Sequence, residues 1–260
     1  EREITKKTKV IIPVHLYGQT CDMDKILKIS KKYNLKIIED CAQSQGAKYK
    51  NEFCGTIGEL GCFSFYPTKI LGAYGDGGFV TTNDYNLYKK IKRIRFYGIE
   101  TVDKNNRYLN KYYSNEDGIN SRLDEIQASI LNFKISLIEK FISRRRHLAD
   151  LYFKELNPTD LKLPSVRKYS DHVFHLFTVY HPFRDKIIKK LRDHLIETRI
   201  IYPYPIQKMN GYKKFFKNNK RLKNSEIKSK GIFCLPLYPE LRDNEVIEIC
   251  KVIKKSLKKI

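Results

Sequence analysis

The 260-residue chain contains no tryptophan, and several longer patterns are missing as well. No apolar run approaches the roughly 18 residues that a membrane helix needs, and no charged-then-apolar segment opens the chain. These absences point to a soluble, cytoplasmic protein with no membrane partner. Gly72, Gly75, Gly77 and Gly78 spell neither a dinucleotide fingerprint nor a phosphate-binding P-loop. They read instead as a tight turn into the next strand, with positions suited to positive φ. The six cysteines (Cys21, Cys41, Cys54, Cys62, Cys234 and Cys250) show no paired ligand spacing and are too sparse for a disulfide scaffold. They read as reduced, mostly buried thiols, and no metal is expected. There is no internal repeat and no low-complexity segment.

Acidic residues are also scarce: 29 Asp and Glu face 51 Lys and Arg, a net charge of +22. Such a balance can mark a nucleic-acid binder, because phosphate neutralisation supplies most non-specific affinity. Here the lysines are dispersed, as in Lys6-Lys7, Lys31-Lys32, Lys89-Lys90, Lys189-Lys190 and Lys258-Lys259. No helix-turn-helix or RNA-binding signature accompanies them. They read as solvated faces of amphipathic helices, and nucleic acid is not an expected partner. A positive field would also attract an anionic nucleotide sugar.

The length allows one good-sized core and a second, smaller one. Val10–Val14 reads as a strand, Asp22–Tyr33 as a helix with Ile26, Ile29 and Tyr33 on one face, and Leu35–Glu39 as the next strand. Strand, helix and strand within so short a span make a parallel βαβ unit, and ligands gather outside the carboxyl ends of such strands. Short strands follow near 61–65 and 79–82, then a helix over 85–94. Residues 99–118 read as a long loop, of the kind usually functional or disordered. A long helix is expected from Leu123, with Ile126, Ile130, Phe133, Leu137 and Phe141 as its apolar stripe. Arg144-Arg145-Arg146 marks the change to a smaller α+β region. It has a strand over 173–180, a helix over 186–197, and a last helix over 244–257 that aligns Val246, Ile249, Cys250, Ile253 and Leu257. The expected domains are residues 1–143 and 144–260.

Lys69 follows Phe63-Ser64-Phe65-Tyr66-Pro67-Thr68 and precedes the glycine cluster, and Asp40 ends an apolar run. A lysine in an apolar, hydroxyl-bearing setting and an acid at a strand end are what a pyridoxal 5'-phosphate site asks of its protein. Further words stand in order around them. They are Pro13-Val14-His15-Leu16-Tyr17-Gly18, Glu39-Asp40-Cys41-Ala42-Gln43-Ser44-Gln45-Gly46-Ala47, Asp76-Gly77-Gly78, and Asn120-Ser121-Arg122-Leu123-Asp124-Glu125-Ile126-Gln127-Ala128. Together they resemble the DegT/DnrJ/EryC1/StrS family, the pyridoxal-phosphate aminotransferases of nucleotide-linked keto-sugars. The resemblance implies an α/β fold: an aspartate-aminotransferase-like (fold type I) large domain followed by a small α+β domain. Family members carry on the order of a hundred residues before the point where this chain begins to match. The expected large domain is therefore truncated at its N-terminus.

The resemblance gives each motif a role. Lys69 holds the cofactor and, once displaced by substrate, moves the proton; burial would lower its pKa and free the amine. Related sugar dehydratases carry His there, so Lys69 favours transamination. Asp40, which could otherwise simply cap a turn, keeps the pyridine nitrogen protonated so that the ring accepts electrons. Gln43 meets the phenolic oxygen, and the Ser64 hydroxyl donates to the phosphate. Asn120 is on sequence alone a helix-cap candidate; by resemblance it reaches the cofactor phosphate of a neighbouring subunit, which implies a homodimer with shared sites. Arg122 either contacts the substrate diphosphate or pairs with Asp124 or Glu125. His15 and Tyr17 end a strand facing the same cleft; His15 counts as a substrate-side candidate with no chemical step assigned.

Arg199-Ile200-Ile201-Tyr202-Pro203-Tyr204-Pro205 corresponds to a family stretch often written His-Tyr-Pro-x-Pro, with Ile201 where histidine is common. Tyr202 is a candidate for touching the sugar or phosphates, against the reading of a Pro-stiffened turn. With Tyr112-Tyr113-Ser114 and Ile196-Glu197-Thr198-Arg199, the stretch resembles the subgroup making 3-amino-3,6-dideoxyhexoses. The expected reaction moves an amino group, from glutamate by family likeness, to a dTDP-linked 3-keto-6-deoxy sugar, and the product would feed a surface glycan or lipopolysaccharide. A 4-keto acceptor, an inactive fragment that keeps the fold, and a basic nucleic-acid module are the alternatives.

Overall fold

Pro13 decides how the first strand ends. In the computed structural model, which describes residues 1–99, 112–216 and 222–258, β1 is only Val10–Ile11. A proline has no N–H for a ladder, but the Pro13 carbonyl still accepts the Asp40 N–H at 2.9 Å. The chain then touches its neighbour once more, in a parallel bridge between Val14 and Asp40. The strand expected through Val14 is thus shorter, although its last residue does reach Asp40. Helix α1, Met23–Tyr33, buries Met23 completely against Ile37 and Tyr49. It stops at Asn34, whose left-handed φ of 51° is a common way for a helix to end.

Strand β2, Lys36–Asp40, runs parallel to β1 in the register Val10↔Lys36. A hairpin of β3, Lys48–Tyr49, and β4, Glu52–Phe53, follows. Strand β5, Leu60–Ser64, pairs in parallel with β2, setting Asp40 opposite Cys62, and β6, Gly78–Thr81, returns antiparallel and sets Gly78 opposite Ser64. The sheet order is β1-β2-β5-β6. Helix α2, Tyr85–Ile94, begins at Asp84, whose carboxylate accepts the N–H groups of Asn86 and Leu87. Residues 100–111, most of the expected long loop, lie outside the described residues.

The long helix expected from Leu123 is two helices. Helix α3 is Glu125–Ile135, with Asp124 at its N-cap and Ser136 at its end. Its inward face is also not the expected stripe. Ile126 and Phe133 are 74% and 71% exposed, whereas Leu131 is buried and packs with Phe65, Leu71 and Ala73, flanked by Leu123 and Ile138. Strand β7, Ser170–Asp171, pairs with β3 in a small second sheet. It belongs to this first unit, which comprises residues 1–139 and 168–171.

The second unit comprises residues 140–167 and 172–260. Helix α4, Ile138–Leu156, supplies Leu148, Ala149, Tyr152 and Leu156 to its core. Strand β8, Phe177–Tyr180, pairs antiparallel with β9, Ile232–Leu235. The strand expected to start at Val173 starts later, because the chain first turns through Phe174 at φ 47°. Helix α5 is Arg184–Asp193, ending before Leu195, which has a φ of 59°, and not at Glu197 as expected. Helix α6, Lys223–Gly231, leads into β9, and α7, Asp243–Leu257, buries Val246, Ile249, Cys250 and Ile253 as its periodicity predicts. Each such aliphatic side chain contributes about 1.5–3 kcal/mol on burial.

The arginine triplet lies inside α4, four residues past the start of the second unit. Arg144 donates to the Leu241 carbonyl, Arg145 to those of Leu237, His175 and Phe174, and Arg146 to that of His172. Three consecutive side chains on a helix point in different directions, so the triplet fastens two separate segments of the unit, residues 172–175 and 237–241. Arg145 is buried and donates to main-chain carbonyls, and that burial pulls its pKa down to about 10. Among the described residues no helix is long and apolar enough to cross a membrane.

Candidate active site

Parallel β2 and β5 end side by side, and the carboxyl ends of parallel strands are where an α/β sheet leaves room for a ligand. Asp40 is the last residue of β2. Its main chain is held on both sides, donating to the Pro13 carbonyl and accepting the His15 N–H at 3.0 Å. Its Oδ1 accepts the Ala42 N–H, also at 3.0 Å, which fixes the carboxylate over the turn that follows. The backbone and a local turn thus set the acid's direction before any ligand arrives.

After β5 the chain turns through Tyr66-Pro67-Thr68-Lys69, closed by the Lys69 N–H on the Tyr66 carbonyl at 2.9 Å. Lys69 is half-buried. Burial pushes its amine below the ordinary 10.5, and the charge of Asp40 pulls partly the other way. The fold therefore brings into one electrostatic neighbourhood the two residues that the sequence pairs. The same carboxylate, after burial, helps to push the Cys62 thiol up.

Gln43 is buried, and its Oε1 accepts the Tyr17 N–H at 2.8 Å. Ser64, the last residue of β5, is half-buried, and its Oγ accepts the Tyr66 N–H at 3.3 Å, leaving the hydroxyl proton as a donor. Asn120 is exposed, and its backbone bridges to Phe96. It caps no helix, since Asp124 takes that position for α3. Arg122 is exposed, with its guanidinium 4.7 Å from the Phe96 ring centroid and 5.5 Å from that of Tyr97. Tyr202 belongs to the second unit, where it is 53% exposed.

His15 is placed otherwise than the sequence suggests. Its ring is wholly buried, Nδ1 accepts the Cys21 N–H at 3.0 Å, and Nε2 lies 3.0 Å from Glu39 Oε2. An accepting Nδ1 assigns the proton to Nε2, so the imidazole donates to Glu39 and is engaged at both ends. Glu39 is the residue that sequence reasoning left without a role. Wholly buried, it accepts from His15 and from the N–H groups of Gly55, Ile57 and Gly58, at 2.7 to 3.0 Å. Burial alone would raise its pKa, but these four donors hold the carboxyl below the ordinary 4.5. A signal was present: Ile37 and Glu39 share the inward face of β2, where a charge demands partners. His15, Glu39 and Cys41 present ligand-type atoms within 4.8 Å of one another. Both Glu39 oxygens already accept two donors each, so the group is a hydrogen-bonded lock beneath Asp40.

The comparisons with known proteins identify the family. The DegT/DnrJ/EryC1/StrS aminotransferase family model matches residues 1–254, and the chain belongs to that family. It is 42% identical, over 93% of its length, to dTDP-3-amino-3,4,6-trideoxy-alpha-D-glucose transaminase of Micromonospora megalomicea subsp. nigra, of which it spans 64%. It is 40% identical, over 98% of its length, to dTDP-3-amino-3,6-dideoxy-alpha-D-galactopyranose transaminase of Aneurinibacillus thermoaerophilus, of which it spans 67%. Among solved structures, NtdA from Bacillus subtilis with bound cofactor PMP superposes with a TM-score of 0.85 at 29% identity, covering 99% of this chain and 58% of that one.

Proposed function

We propose that this chain carries the cofactor-holding face of a pyridoxal-phosphate aminotransferase that delivers an amino group to a nucleotide-linked keto-deoxysugar. The carrying observation is the Lys69–Asp40 pair: a half-buried amine held below its ordinary pKa, within the field of a carboxylate fixed at a strand end. The donor set fits the cofactor. An amine of lowered pKa suits an aldehyde, a fixed carboxylate suits a pyridinium, an amide beside it suits a phenolic oxygen, and the Ser64 hydroxyl suits a phosphate. When bound, the cofactor supplies an electron sink for the carbon that loses its proton.

The chain's own residues then divide the work. The Lys69 amine would hold the cofactor at rest and, when released, take and return the proton at the reacting carbon. Asp40 would keep the ring nitrogen protonated. Gln43, its carbonyl end fixed by Tyr17, would orient the ring edge. Asn120, exposed on this chain, would reach a second subunit's phosphate, which makes the working form a homodimer. Both named relatives are dTDP-linked 3-amino-sugar transaminases, which supports a dTDP-3-keto-6-deoxyhexose as acceptor and its 3-amino-3,6-dideoxy derivative as product, with L-glutamate as donor. Arg122 and Tyr202 remain the substrate-side residues of this reading.

The test is borohydride reduction of the chain with pyridoxal phosphate, followed by peptide mapping, with Lys69→Ala as control. Label confined to Lys69 is the expected result; scattered label, or none, would overturn the reading. A mass-spectrometric search for the amino sugar made from dTDP-3-keto-6-deoxyglucose and glutamate then tests the acceptor.

A further inference from the structure

We propose that Gln127 and Lys134 of α3, with Gln45 from the loop after β2, are positioning residues that clamp the loop carrying Lys69. The loop has two arms. The near arm is the turn Tyr66–Lys69, and the far arm, Leu71–Tyr74, has no strand partner among the described residues. Its base is closed by the Phe65 N–H on the Gly77 carbonyl and the Ala73 N–H on the Phe65 carbonyl, both at 2.7 Å. Backbone groups of an arm without a ladder need partners from elsewhere.

Helix α3 supplies them. Gln127 and Lys134 stand two turns apart on one face, with the buried Leu131 between them. Leu131 packs on Leu71 and Ala73. On either side of that contact, Lys134 Nζ donates to the Gly72 carbonyl at 2.5 Å, and Gln127 Oε1 accepts the Tyr74 N–H at 2.8 Å. Lys134 Nζ also lies 5.5 Å from the centroid of the Tyr74 ring. From the sheet side, Gln45 Nε2 donates to the Ser64 carbonyl at 2.5 Å and reaches the Leu71 carbonyl at 3.4 Å. One amide thus ties the residue that bears the site's hydroxyl to the far arm.

Two further facts give the clamp a direction. A side chain at Gly72 would meet the Pro67 carbonyl oxygen at 2.4 Å and the Tyr66 carbonyl oxygen at 2.9 Å, so the far arm lies directly on the turn that presents Lys69. Holding Gly72 therefore holds the near arm. In addition, Gln45 Oε1 is buried with no hydrogen-bond partner among the described residues. An orphaned acceptor is costly, and keeping it buys a donor end aimed at two carbonyls of the loop. No chemical step falls to these three side chains; they act through Lys69.

The proposal rests on the reading of Lys69 as the cofactor amine, and its test separates the two. Gln127→Leu and Lys134→Met remove the bonds, whereas Gln127→Glu keeps an acceptor and Lys134→Arg keeps a donor. Each variant is modified with trinitrobenzenesulfonate without cofactor, to read the pH at which Lys69 reacts half-maximally, with Asp40 intact throughout. Pyridoxal phosphate capture at Lys69 and the thermal midpoint are measured in parallel. The removing variants are expected to move the Lys69 midpoint up towards that of ordinary lysines and to weaken capture about tenfold, the loss of one charge-assisted bond. The conserving variants should restore both to within about twofold. An unchanged Lys69 midpoint in both removing variants, or a shift that follows thermal midpoint alone across all four, would overturn the clamp. If wild-type Lys69 captures no pyridoxal phosphate while the midpoint still shifts, the clamp stands and the cofactor reading falls.

Discussion

Glu39→Gln is the substitution whose cost the structure defines most closely. It changes no volume and keeps one carbonyl oxygen, yet the wild-type carboxylate accepts from four donors, two on each oxygen. With the glutamine oxygen on Ile57 and Gly58, its NH2 opposes the Gly55 N–H and the His15 Nε2–H. The reverse rotamer strands Ile57 and Gly58 instead. His15 cannot escape by changing tautomer, because its Nδ1 would then turn a proton towards the Cys21 N–H. Two buried donors therefore lose their acceptor in every arrangement, at 1–3 kcal/mol each, and the total is about 4 kcal/mol, as for other broken buried pairs. In a domain of this size that lowers the melting midpoint by roughly 10 °C. Denaturant titrations of wild type and variant read the difference directly. Its pH dependence has a definite sign. The carboxyl is held below 4.5 in the folded chain, so its contribution is complete above 4.5 and is lost as pH falls through the folded value. The gap between wild type and Glu39→Gln should thus be widest near neutrality and close in acid. A variant within about 1 kcal/mol of wild type at neutral pH would refute the lock.

Asp40→Asn should lower the pH at which the Lys69 amine reacts, because the Asp40 charge is what pulls that pKa back up; competitive amine labelling without cofactor reads this, and a higher midpoint would contradict it. Of the six cysteines, half-buried Cys21 and Cys62 should react first with a thiol reagent, while buried Cys41, Cys54, Cys234 and Cys250 wait for denaturant. Burial pushes the Cys54 and Cys250 thiols up to about 12, and rapid native labelling at either would count against the packing. Gly72→Ala drives a methyl group against backbone atoms of Tyr66 and Pro67 that cannot rotate away. It should cost about 1–3 kcal/mol and abolish pyridoxal phosphate capture at Lys69. Full capture by a stable Gly72→Ala chain would show that the turn does not depend on that approach.

Much of this was legible in the sequence, for reasons that differ by residue. The βαβ unit and the strand-end place of Asp40 follow from apolar periodicity and the topology rule. The nearness of Asp40 to Lys69 follows from motif words that place one at a strand end and the other just after the next parallel strand. Helix α7 matches its reading because most of its apolar residues, Val246, Ile249, Cys250, Ile253 and Leu257, lie on one stripe. Helix α3 was misread because it carries two apolar faces, Ile126 and Phe133 on one and Leu131 on the other. Periodicity gives the helix but not which face turns inward. His15 was misplaced because a histidine at a strand end reads the same whether it faces a cleft or a buried carboxylate.

The residues that escaped, Glu39, Gln45, Gln127 and Lys134, have one thing in common. Each is polar, sits at an inward or half-inward position, and serves backbone groups of a turn or loop. Hydropathy assigns such residues to solvent, since it counts side chains and ignores the main chain. Yet a loop such as that of Lys69 gives up the ladder that would satisfy its own N–H and C=O groups, and those groups cannot be left unpaired when buried. Polar side chains from neighbouring elements are then required in proportion to how tightly the loop is packed. The polar pair on α3 flanking Leu131 answers that demand for the loop of Lys69, and Glu39 answers it for the turn at Gly55–Gly58.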